Sequence, residues 1–151
     1  MPLTASLVED NDVLSALLGI HFFFVPVIIL AGALTLIAGI ILLVLRRGVA
    51  DADQPSSPSA PLVKRIFRWL LVATAILGAI QAVVGGLIFL SGARPGDPLH
   101  FVYGGIVLLA IPIAYAYSDQ KRTRRDIIIM VIAAVAIIGA AVRALMTGSP
   151  H

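Results

Sequence analysis

The chain has 151 residues, 60% of them hydrophobic and 13% charged, with a formal net charge of +3 and no cysteine. A soluble domain is nearer half apolar and a quarter charged, so this composition, with a mean hydropathy of +1.03, excludes one and indicates an integral membrane protein. The missing cysteines exclude disulfides, thiolate metal sites and iron–sulfur clusters, which leaves histidine as the strong ligand.

Four apolar runs, at 17–45, 66–90, 99–117 and 127–146, each reach the roughly 18 to 20 residues that cross about 30 Å of hydrocarbon. They are continuous rather than alternating, so they read as helices and not as strands of a barrel. The predicted fold is all-α, a single four-helix bundle in the cell membrane. Nine of the eleven Lys and Arg residues lie in two loops, Arg46, Arg47, Lys64, Arg65 and Arg68 in the first and Lys121, Arg122, Arg124 and Arg125 in the third. That asymmetry places both loops in the cytoplasm and both termini outside. It also accounts for a pI near 9.8 without nucleic acid as a partner; the lipid bilayer is the partner these residues need.

Taken in order, the chain starts with a polar, acidic stretch, 1–16, that has no basic residue and so lacks the start of a cleaved signal. Asn11 or Asp12 is expected to cap a helix that begins before the membrane and carries His21 more than two turns inside it. Pro26, one turn further on, removes the donor for the carbonyl of Phe22. Residues 47–65 include DADQPSSPSAP and are expected to form a flexible cytoplasmic linker. In the second span Trp69 marks the inner interface. Thr74, Gly78, Gln81 and Gly85 follow at spacings that put them on one small, polar stripe. Small residues so spaced bring helices close. Gln81, an amide in hydrocarbon, requires a partner on another helix, a water or a ligand.

The outer turn SGARPGDP, with Ser91 and Asp97 as candidate caps, leads to His100 at the head of the third span, one turn before Gly104. Tyr115 and Tyr117 sit at its inner end. The short basic loop after them forces the third and fourth spans into a hairpin, and the fourth ends near Arg143. No carboxylate is expected within a span, which disfavours ion-coupled transport and general acid–base catalysis.

Both histidines, with Arg94 and Arg143, therefore gather at one depth near the outer leaflet. HFFFVPVIILA from His21 and HFVYGGIVLLA from His100 share offsets that resemble a parallel repeat, which would relate the histidines by a pseudo-twofold axis along the membrane normal. Facing imidazoles in an apolar bundle suit an iron porphyrin. In that reading His21 and His100 ligate heme b, Gly85 and Gly104 make room, Gln81 sits against the ring or a water, and Arg143 or Arg94 pairs with a propionate.

The segment IQAVVGGLIFLSG, a short turn and LHFVYGG resemble a helix pair of the heme A synthase family. There a helix with a Gln and a Gly-Gly step ends at an outer turn, and the next helix brings a heme-ligating histidine. The resemblance implies a heme site between His21 and His100. Family members have two four-helix halves with a histidine pair on the second and fourth helices of each, and a glutamate and an arginine close to the first ligand. This chain has one pair, on its first and third helices, and neither residue beside His21. It therefore resembles a single-heme relative or a small cytochrome b rather than a heme A synthase. Electron transfer with a redox partner is the expected role, and any catalysis would need the heme. The other class that fits the sequence is a cofactor-free accessory subunit or assembly factor, whose small-residue stripes pack on a larger membrane complex.

Overall fold

The computed structural model describes residues 3–47, 60–118 and 124–148. They form four helices, α1 (Leu3–Arg47), α2 (Ala60–Leu90), α3 (Leu99–Ala116) and α4 (Arg124–Thr147). Each contains a segment long and apolar enough to cross a membrane. Large aliphatic side chains such as Leu30, Ile37, Ile76, Val83 and Leu109 point outward. For a chain whose outer solvent is lipid that surface is the favourable one.

Three boundaries differ from the sequence reading. α1 runs unbroken through Asn11 and Asp12, so neither caps it; nothing between Leu3 and Leu18 is glycine or proline, and no residue there stops the helix. Of the linker expected at 47–65, Arg47 belongs to α1 and 60–65 to α2, with Pro61 accommodated in the first turn, where its missing N–H costs no hydrogen bond. Residues 48–59 lie outside the described residues. α4 starts at Arg124, which brings Asp126 into its first turn, 95% buried by its 5% exposure. A carboxylate at that position is favoured by the helix dipole.

α1 packs along α2 and α4, and α3 along α4, while the α2–α3 seam is the loosest. Thr35 meets Thr74 while His21 meets Gln81, so α1 and α2 are antiparallel. α3 and α4 are antiparallel too, since the head of α3 meets the end of α4 at His100 and Ala144. α1 and α3 thus stand diagonally and run the same way. The core between them is aliphatic and small: Ile28, Ala134 and Ile137 are 1% exposed or less. α2 and α3 cross at Gly78, where an added Cβ would lie 2.9 Å from the carbonyl oxygen of Val107. Only a glycine allows that approach.

The turn between α2 and α3 is closed by its own side chains. Ser91 Oγ donates to Leu87 O at 2.9 Å, Gly92 takes the left-handed backbone with φ +92°, and Asp97 Oδ1 accepts the Leu99 N–H at 2.8 Å. Both candidate caps are therefore used.

Candidate functional site

His21 and His100 reach toward each other across the diagonal of the bundle, with ring centroids 5.9 Å apart and planes inclined by 46°. Neither α2 nor α4 comes between them. Instead those two helices supply the groups that orient the rings.

His100 is oriented by α4. Its Nδ1 lies 3.0 Å from the carbonyl oxygen of Ala144. A carbonyl only accepts, so Nδ1 carries the proton, and in the neutral ring Nε2 presents a lone pair. The same carbonyl accepts the Gly148 N–H at 2.9 Å, which uses its second lone pair. Gly148 matters for space as well: a Cβ there would sit 3.0 Å from His100 Cε1 and 3.1 Å from Nδ1. Thr147 Oγ1 lies 3.0 Å from Arg143 O and 3.3 Å from Ala144 O, so its shorter contact is to Arg143.

His21 is oriented by α2. Gln81 Nε2 donates to the backbone carbonyl of His21 at 3.0 Å. Gly85, one turn further along the same stripe, leaves room for the imidazole; an added Cβ would meet His21 Cε1 at 3.2 Å and Nδ1 at 3.8 Å. Since the nitrogen end of the Gln81 amide must face a carbonyl, its oxygen is left over. Gln81 Oε1 and His21 Nδ1 are both buried, and neither has a hydrogen-bond partner. Unpaired polar atoms in a bilayer are costly, so two on touching residues mark a place built for something more.

The remaining residues singled out in the sequence divide. Gly104, one turn beyond His100, has nothing within 4 Å of an added Cβ and leaves the surface of α3 bare there. Arg143 is exposed on α4 and pairs with Tyr103, its guanidinium carbon 5.7 Å from the centre of that ring and its side chain hydrogen-bonded to the Tyr103 side chain. Arg94 is occupied: it donates to Phe89 O at 2.7 Å and Ala93 O at 3.0 Å and stacks on the Phe89 ring at 3.9 Å. It closes the end of α2 rather than serving the histidines. Thr74 turns to Thr35, and Gly78 to α3, so the polar stripe of α2 splits between two neighbours.

The donor set can be tested against what it would hold. Among the described residues no three His, Asp or Glu side chains cluster as ligands for a bare cation. Two imidazoles alone suit a metal that brings its other ligands with it, as the iron of a porphyrin does. With ring centroids 5.9 Å apart, the two imidazoles are within reach of one metal, which would be held at about 2 Å by a nitrogen of each. Ala144, a backbone acceptor, and Gly148 are the contributors that sequence reasoning missed. Gly148 had a readable signal, a glycine just past a helix end, but that pattern ordinarily marks a cap.

The chain matches no family model, no curated protein and no solved structure.

Proposed function

We propose that this protein holds one heme b between His21 and His100, near the outer leaflet of the cell membrane, in an electron-transfer or other heme-related redox role. One observation carries the reading: the imidazoles of two diagonal helices meet with ring centroids 5.9 Å apart, one of them held by a carbonyl at Nδ1 so that Nε2 is its free nitrogen. The positive loops favour the orientation with both termini outside, which puts the pair on the outer side. The resemblance to the heme A synthase family points to the same pair.

Bound heme b supplies reversible one-electron chemistry. The chain's own residues do the rest. Ala144 O holds His100 by Nδ1–H; Gln81 Oε1, which has no direct partner, would accept from His21 Nδ1–H through one bridging water, and Nε2 of each ring would then be the ligand. Gly85 makes room for the His21 imidazole and Gly104 leaves open surface beside His100. Arg143 supplies an exposed cation for a carboxylate at the membrane boundary. A redox partner then docks on the outer face.

The test is the visible spectrum of the detergent-purified chain, oxidised and reduced with dithionite, with a pyridine hemochrome assay for stoichiometry. The expected result is the sharp reduced bands of a six-coordinate low-spin heme, about one per chain. His100→Ala should remove or convert that spectrum while the helical circular dichroism and membrane insertion persist. A colourless chain, purified after expression with ample heme, would overturn the reading and return the protein to the cofactor-free accessory class.

A further inference from the structure

At the opposite, basic end of the bundle the same two helices that cross at Gly78 come apart. Between them lies a cavity of about 350 Å³, with Leu42 of α1 and Met130 of α4 at its back and Phe67, Leu71 and Ile111 along its sides. Its depth is apolar, and Phe67 is 6% and Ile111 7% exposed. Its mouth is not: Lys64 and Arg68, one turn apart on α2, stand there with Tyr115 and Ser118 from the end of α3. Asp126 also lines the wall, buried, and its carboxylate already has an interaction of its own.

The fold explains why the opening exists. Gly78 draws α2 against Val107 and acts as a fulcrum. α3 and α4 are tied by a short loop at the basic end, whereas α2 is joined to α1 there by a long polar segment and to α3 by nothing. The seam is therefore held at one point and open below it.

We infer that this cavity binds an anionic glycerophospholipid, with an acyl chain in the α2–α3 seam and its phosphate at Lys64 and Arg68. Charge complementarity selects the occupant. An apolar slot of this size accepts a hydrocarbon chain and not a folded partner, and the slot opens where phosphates lie in a bilayer. Two cations from one helix turn then favour a net-negative headgroup over a zwitterionic one, whose own ammonium would compete with them. Tyr115, exposed at the end of α3, supplies a hydroxyl for the glycerol or ester oxygens. The site is independent of the histidine pair, which lies beyond the crossing point at the other end.

The experiment is native mass spectrometry of the full chain, purified in mild detergent and exposed to mixed micelles of phosphatidylglycerol and phosphatidylcholine in equal amounts. The expected result is one retained phosphatidylglycerol per chain. In K64A/R68A that adduct should fall by about tenfold or more. Ala75→Trp, which fills the slot and leaves both cations, should lower it as well. Equal retention of the two lipids, or retention unchanged in K64A/R68A, would overturn the inference and leave only the ordinary lipid annulus. K64A/R68A alters the mouth and no packed core residue, so the proposal stays falsifiable if Ala75→Trp fails to fold.

Discussion

Two polar contacts join α1 to α2 among the described residues, and they are built differently. In mid-membrane, Thr35 and Thr74 lie with their hydroxyl oxygens 3.1 Å apart, at 0% and 1% exposure. Each also reaches its own helix, at Ala31 O and Leu70 O, both at 2.8 Å. Two hydroxyl protons make two of these three contacts at a time, and neither oxygen is left without a partner. At the histidine end the contact of His21, Gln81 and His100 leaves one nitrogen and one oxygen buried without partners. Both contacts join α1 to a neighbour in the same low-dielectric medium. The complete one needs no explanation beyond packing, whereas the incomplete one is what a ligand site looks like before its ligand is considered.

After loss of an imidazole itself, the largest effect is expected at Gly148. Gly148→Leu puts a Cβ against Cε1 and Nδ1 of His100, so the ring must leave Ala144 O, and heme affinity should fall roughly 10- to 100-fold, as for other outer-shell partners of a ligating histidine. Heme titration of the apo-protein measures it. Affinity equal to the parent's would mean that the Ala144 contact is incidental.

Gln81→Leu separates the two kinds of contact more sharply. The substitution removes an unpaired oxygen from the membrane interior, and the His21 carbonyl keeps its place in α1. The apo-protein should therefore be as stable as the parent or more so in denaturant titration. Heme binding should weaken by about tenfold, because His21 Nδ1 loses its acceptor. A merely structural Gln81 would lower both together, so opposite signs identify it as a positioning residue.

The parts of this arrangement that were legible in the sequence are those that depend on composition along the axis. Continuous apolar runs announced the helices, and counting loop charges put His21 and His100 at one depth. Facing is a different property, since it needs the rotation of α1 and α3 about their axes. With so many apolar residues around each helix no amphipathic stripe reports that rotation. The Ala144 carbonyl left no trace because backbone acceptors are the same at every position. Arg94 looked equivalent to Arg143 until the Phe89 carbonyl and ring were seen to occupy it. The cavity below Gly78 depends on where two helices cross, which the glycine hints at but does not locate.

The smallest effect is expected at the complete contact. Thr74→Val keeps the volume of the side chain and removes one hydroxyl, and the hydroxyl that remains on Thr35 still donates to Ala31 O within its own helix. What is lost is the interhelical contact and the side-chain bond of Thr74 to Leu70 O, a carbonyl that stays within its own helix. Such hydrogen bonds inside membrane bundles contribute about 0.6 kcal/mol on average, because the separated helices find other partners for the same groups. The unfolding midpoint in denaturing detergent should therefore drop only slightly, and the heme spectrum should be unchanged. A loss of heme from Thr74→Val would show that the middle of the bundle sets the approach of α1 and α2 at His21, and the two contacts would have to be treated as one coupled unit. Pairing Thr74→Val with Gln81→Leu decides this: independent contacts give additive changes, within about 0.3–0.5 kcal/mol.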